Sequence, residues 1–218
     1  NYKAVKEIWG GEVRQSSPSF FYESMQREQY TDEKTGEFRF RDRLVHVPAG
    51  FRNHDVNTEI SSNVRQKGLM KFAGYVLQFN GSFEVSNPLP HAQEFFFSFP
   101  LPSGAGNVTD ISVTLNGSAF KEDPNYANGI DWEGTLSPGE KRVFTVTYKC
   151  QGTGSFYYGG GVEQGVEMDR FRVKLTTDYR NTVIPDGAMA PTNSASDKSG
   201  SIISWESNKV IVSQSIGV

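Results

Sequence analysis

Apolar and polar positions alternate with a period of two along most of this chain, the spacing that sends successive side chains to opposite faces of a β-strand. The clearest run is Val143 to Tyr148, where Val143, Thr145 and Thr147 alternate with Phe144, Val146 and Tyr148. One face of it is wholly apolar or aromatic. Just ahead, Leu136-Ser137-Pro138-Gly139-Glu140 reads as a turn, because proline presets a negative φ and glycine accepts a positive one beside it. Gly129 to Tyr158 therefore reads strand, tight turn, strand, turn, strand, with the first two strands as hairpin partners. Val108 to Leu115 alternates as cleanly and ends in Asn116-Gly117, a hairpin dipeptide, with Ala119-Phe120 opening the return strand. Gln93 to Leu101 is rich in phenylalanine and predicts a strand packed on both faces at one end.

Other stretches are less regular. Tyr2 to Trp9 spaces Val5, Ile8 and Trp9 as a short helix would, and reads equally as a frayed terminus. Glu23 to Arg43 is dense in charge and weak in period, and predicts a long, poorly ordered loop. Leu44 to Pro48 predicts a short strand stopped by proline, and Val56 to Arg65 an edge or solvent-facing strand. Gly68 to Asn87 is too long for one ordinary strand, so a break at Gly74 or a bend at Asn80-Gly81 is expected. Val166 to Thr177 alternates with its phase shifted near Asp169, which predicts a bulge. Ile184 to Ser199 reads as a loop. Ile202 to Trp205 and Val210 to Val212 read as a closing hairpin across Glu206 to Lys209.

Composition agrees with this pattern. The 218 residues include 16 Phe, 9 Tyr and 22 Gly, which suits half-buried pleated surfaces joined by many turns. No fixed-period repeat or linker divides the chain, so residues 1–218 are expected to form a single domain with a loop-rich first fifty residues. The expected fold is all-β: a large antiparallel β-sandwich, jelly-roll-like, with a short N-terminal helix as an optional addition. A net charge of −3 without a basic run argues against nucleic acid as a partner. The lone Cys150 excludes an internal disulfide. No apolar run of about 18 residues is present to span a bilayer.

Candidate chemistry is sparse. Asp131 and Glu133 flank Trp132 at i and i+2, which puts both carboxylates on one strand face about 6.6 Å apart, a spacing open to a glycosidase pair. Solvated positions over a core Trp132 explain the same letters. Trp132, Tyr157, Tyr158 and Trp205 lie near strand ends, where planar rings could stack on sugars, or else they fill the sandwich core and its rim. His46, His54 and His91 lack metal-ligand spacing, although His46 and His54 could converge with Asp55. No phosphate cradle or nucleophile elbow is present, and neither a metal nor a cofactor is expected.

Three passages carry a resemblance. Arg65-Gln66-Lys67-Gly68-Leu69 followed by Tyr75 leads into a long strand. Asp131-Trp132, Leu136-x-Pro138-Gly139-Glu140 and Phe144-x-Val146-x-Tyr148-x-x-Gln151-Gly152 form the central motif. Trp205 with Val210-x-x-Ser213-Gln214-x-Ile216-Gly217-Val218 closes the chain. Together they resemble the extracytoplasmic domain of CreD-like and related bacterial inner-membrane proteins, over about half the chain. The resemblance implies a non-enzymatic domain anchored through flanking membrane segments and facing the periplasm or the cell exterior. Its role would be binding or structural, and it carries over no catalytic residue. A glycan or a protein is the expected ligand class; a carbohydrate-binding module or carbohydrate-active jelly-roll enzyme is the alternative.

Overall fold

A computed structural model describes residues 10–67, 70–120, 126–127, 129–159 and 166–218. The helix expected over Tyr2 to Trp9 lies outside them. The described residues contain strands and no helix. In chain order the strands are β1 (Gly10–Gln15), β2 (Ser19–Thr31), β3 (Phe38–Pro48), β4 (Phe51–Lys67), β5 (Met70–Ser86), β6 (Gln93–Phe99), β7 (Ser103–Ala105) and β8 (Val108–Leu115). They continue with β9 (Ser118–Ala119), β10 (Ile130–Leu136), β11 (Lys141–Gly152), β12 (Phe156–Tyr158), β13 (Glu167–Thr177), β14 (Asn193–Ser196), β15 (Ser201–Ile211) and β16 (Ile216–Gly217).

The strands build an all-β sandwich, as the alternation predicts. An eight-stranded sheet, ordered β14-β15-β13-β4-β5-β11-β8-β9, forms one layer. Two four-stranded sheets, β10-β6-β2-β3 and β16-β12-β1-β7, pack against it. Proline marks where the chain passes between these smaller sheets: Pro18 separates β1 from β2, and Pro100 and Pro102 separate β6 from β7. Proline cannot donate to a ladder, so a strand stops there. The core between layers is aromatic. Phe97 of β6 lies flat on Phe144 of β11 at 3.9 Å and 2°. Phe99 packs on Phe79 and Phe83 of β5, and Phe20 of β2 reaches Phe51 of β4.

The Ser137–Glu140 turn is present, with Gly139 at φ 70° and the Glu140 N–H donating to Ser137 O at 3.0 Å. It does not make a hairpin. β10 pairs with β6 in one sheet, whereas β11 pairs with β5 and β8 in the other. A glycine at positive φ after proline gives a type II turn, whose twist splays the flanking strands instead of pairing them. The turn is pinned by buried Asn87, whose side-chain amide donates to Leu136 O and His91 O, both at 2.8 Å. The Asn87 backbone exchanges bonds with Gly139 and Glu140. The Ser137 N–H, then Arg142, bond the Glu140 carboxylate and hold its pKa below the usual range.

Other local expectations change in context. Asn80-Gly81 makes no bend: β5 runs unbroken between β4 and β11, with Asn80 opposite Asn57 on one side and Thr147 on the other, and Gly74 stays in register. Two ladders outweigh one local turn preference. Gly81 serves packing instead, since a Cβ there would sit 2.6 Å from the Phe83 ring. The strand expected at the edge, β4, is central, between β13 and β5. Its inner face carries His54 and Thr58 among Val56 and Ile60, which disguises the apolar alternation. The phase shift near Asp169 is present, with Met168 and Phe171 both buried. β4 shares it and slips against β5 between Phe51 and Asn53. β15 is one continuous strand paired with β13, not a closing hairpin. β14 forms inside the stretch expected to be a loop.

The largest departure is Glu23 to Arg43. It is a long hairpin: β2 and β3 pair in unbroken register from Phe21↔Pro48 to Thr31↔Phe38. The Gly36 and Glu37 N–H and C=O groups close the turn onto Asp32. Neither face of the outer part is buried within the chain, and charged residues stand among its apolar ones, so the alternation is weak. Arg41–Glu28 at 3.0 Å and Arg39–Asp32 at 3.3 Å tie the strands across.

Candidate functional site

The outward face of the β10-β6-β2-β3 sheet follows from ladder register. Glu133 stands opposite Phe96, Phe96 opposite Phe21, and Phe21 opposite Pro48. In the next row Asp131 stands opposite Ser98, and Ser98 opposite Ser19. Alternation decides these faces: Phe95, Phe97 and Phe99 point into the core, so Phe96 and Ser98 must point out.

Phe96 and Phe21 stack on each other, nearly parallel, with centroids 5.3 Å apart and planes 17° apart. His46 continues the row, stacked on Phe21 at 4.6 Å, with its Nε2 3.2 Å from the Glu23 carboxylate. Three rings thus stand stacked in a row across one half-exposed face. Beside them is a hollow of about 550 Å³, whose lining includes Phe21, Phe96, Ser98, Asp131, Trp132 and Glu133. Asp131 and Glu133 do share a face, and both are exposed.

The platform is rigidly backed. Trp132 turns the other way, half-buried, with its ring edge-on to Phe144 at 5.3 Å. Gly134 lets that indole lie along β10, since a Cβ there would meet the ring at 2.5 Å. The inward-facing rings under the outer face therefore form one aromatic layer that holds the strand spacing.

The other expected site residues lie elsewhere. Trp205 is fully buried in β15 and donates its indole N–H to Met189 O at 2.9 Å. Tyr158 is also buried. Neither is an exposed stacking ring; both fill the core, because their strand positions face the opposite layer. Tyr157 is half-exposed on the β16-β12-β1-β7 sheet, under the Arg14 guanidinium at 4.2 Å, apart from the β10 residues. The three histidines do not converge. His46 is on the outer platform, His54 is in the core, and His91 is exposed in the segment before β6. Asp55 faces outward from β4 and pairs with Arg172. Among the described residues no group of three or more His, Cys, Asp or Glu could hold a metal ion.

A polar thread crosses the core away from this face. Tyr148 donates to the Gln15 side-chain oxygen at 2.7 Å, and the Gln15 amide donates to Pro100 O at 2.8 Å. His54 Nε2 contacts the Tyr158 hydroxyl at 2.6 Å. Desolvation by Phe51, Phe83 and Phe171 brings the His54 pKa down from 6.5 to about 3. Its Nδ1 has no partner. With the proton on Nε2 donating to Tyr158, only a lone pair is stranded, not an N–H.

Sequence reasoning missed Phe21, Phe96, Ser98 and His46. The signal for Phe96 was in Phe95-Phe96-Phe97, where period two requires one ring to face away from the others.

No family model matches this sequence, and no curated protein matches it. Among solved structures, one from Legionella pneumophila subsp. pneumophila str. Philadelphia 1, described as a "putative nutrient binding protein", superposes with a TM-score of 0.53. It is 11% identical, and the match covers 96% of this chain and 72% of that one. At that identity the likeness is one of fold.

Proposed function

We propose that this chain is a non-catalytic binding domain that takes a sugar or similar polyhydroxylated small molecule on the outer face of the β10-β6-β2-β3 sheet. The observation that carries this reading is the pair of half-exposed, stacked rings of Phe21 and Phe96 beside Ser98, Asp131 and Glu133. A sugar offers an apolar C–H face and a rim of hydroxyls. The exposed surface of the stacked rings desolvates the first, and carboxylates accept charge-assisted hydrogen bonds from the second. The hollow has the size of a small-ligand site. The structural neighbour described as a "putative nutrient binding protein" supports a binding role in general terms.

Titration calorimetry against a panel of mono- and oligosaccharides tests it. Phe96→Ala and Asp131→Asn should each weaken the best ligand about tenfold, the equivalent of about 1.4 kcal/mol. Wild-type protein that binds no sugar on the panel, or Phe96→Ala that binds as wild type, defeats the proposal.

A glycoside hydrolase is the second reading, favoured by the shared face of Asp131 and Glu133. A glycosidase acid is kept protonated by burial, and both carboxylates here stand in water, which supports the non-catalytic reading. Hydrolysis of any panel sugar that disappears in Glu133→Gln would reverse the order.

The extracytoplasmic, membrane-anchored setting rests on the motif resemblance. No helix of the described residues is long and apolar enough to cross a membrane. The gene's flanking sequence decides the matter: apolar runs of about 20 residues support the setting, and their absence on both sides removes it.

A further inference from the structure

The β2–β3 hairpin outgrows its sheet. β6 stops pairing with β2 at Tyr22, yet β2 and β3 continue together to Thr31↔Phe38. Nine residue pairs, about 30 Å at strand rise, project as a two-stranded arm. Nine large apolar side chains stand exposed among the described residues, and four of them are on this arm: Met25 (62%), Phe38 (72%), Phe40 (57%) and Leu44 (52%). Register puts all four on one face, since Met25 opposes Leu44, Gln29 opposes Phe40 and Thr31 opposes Phe38. One face of the arm thus collects its most exposed apolar side chains, with the Arg27 guanidinium over the Phe40 ring at 4.7 Å.

The geometry points to a second copy of this chain as the occupant of this face, laid face to face along the arm. Between Met25 and Phe40 the face carries one cation and one anion, Arg27 and Asp42, directly opposite each other. A two-fold axis along the arm exchanges the positions of β2 and β3 in the facing copy. The cross-strand pairs of the projecting arm are then recreated between copies: Arg27 meets Asp42, and Met25 meets Leu44. The surface is therefore its own complement, as an isologous interface must be. The exposed parts of the four apolar side chains amount to roughly 450 Å² per copy, about 900 Å² for the pair. Arg27, Gln29 and Asp42 between them carry the total past the ~1,000 Å² that a specific interface needs. A lipid surface fits less well, because the tip that would enter it, Asp32 to Glu37, carries Asp32, Glu33 and Glu37 against Lys34 alone.

This inference does not depend on the sugar reading, and its test is separate. Light scattering and sedimentation equilibrium over a concentration series should give the 218-residue chain twice the mass of one copy. Phe38→Ser with Phe40→Ser should return it to one copy with an unchanged circular-dichroism spectrum, since both rings are exposed. Arg27→Asp alone and Asp42→Arg alone should each weaken self-association at least tenfold by setting like charges face to face. Mixing the two variants should restore a heterodimer, because each then supplies the charge the other lacks. Contacts within one arm are the same before and after mixing, so only an interface between copies yields that rescue. Wild-type protein that stays at one-copy mass throughout overturns the inference, and so does failure of the mixed variants to associate. A one-copy wild type that pellets with phosphatidylcholine–phosphatidylglycerol vesicles also overturns it, in favour of lipid.

Discussion

His54 gives the sharpest physical test of the core. It is fully buried, ringed by Phe51, Phe83 and Phe171, with Tyr158 as its hydrogen-bond partner. Burial lowers its pKa in the folded protein from 6.5 to about 3. Between those values the unfolded chain holds a proton that the folded chain refuses, so stability rises with pH through the window. The contribution is complete above about pH 6.5 and drains away as pH falls toward about 3. Across the full span it is on the order of 5 kcal/mol, and between about pH 7 and pH 5 about 2 kcal/mol. Tyr158 does not add to the slope there, because burial moves its hydroxyl further up and away. In His54→Gln the amide can still donate to Tyr158 but cannot titrate. Urea unfolding followed by tryptophan fluorescence, with Trp205 as the buried reporter, should show wild type losing about 2 kcal/mol more than His54→Gln between about pH 7 and pH 5. Every other titrating group is common to both proteins, so the difference isolates this ring. Equal losses in the two proteins would falsify the assignment of a neutral, desolvated His54.

Two further outcomes follow from the same core. Phe144→Ala, which removes a buried ring held between Phe97 and Trp132, should destabilise the fold by about 3–5 kcal/mol in denaturant titration; a loss under about 1 kcal/mol would mean the layers are not packed through this ring. Cys150 is buried, and burial pushes its thiol up to about 12, so an aromatic disulfide reagent near neutral pH should label no thiol in the native protein and one per chain in guanidinium; rapid native labelling would contradict the buried position.

Of the platform face, only the β10 residues could be read in advance. Asp131 and Glu133 share the outer face as their spacing requires, and Trp132 takes the opposite one. Which strand lies beside them could not be read, and so neither could Phe96 and Phe21, because a ladder partner is chosen by face matching over long separations and leaves no local trace. Tyr158 and Trp205 show the converse. Their letters suit either a rim or a core, and only the opposing layer makes them core. The hairpin at Glu23 to Arg43 was invisible because charged residues dilute its apolar positions and neither face is buried within the chain, so its strand character comes from cross-strand ion pairs and from growth on the edge of β6.

The amino-acid pattern by itself determines that this chain is all-β, where its strongest strands run, and that Asn116-Gly117 and Ser137–Glu140 reverse or turn the chain. These are consequences of side-chain period and of the φ that Pro, Gly and Asn accept, both local properties. The tertiary structure alone decides that the strands on either side of Ser137–Glu140 enter different sheets, that Asn80-Gly81 stays extended between two ladders, and that β4 lies at the centre of its sheet. Each of those outcomes is set by competition among distant strands for hydrogen-bonding edges and buried faces, and the free energy of a long ladder exceeds the preference of any single turn.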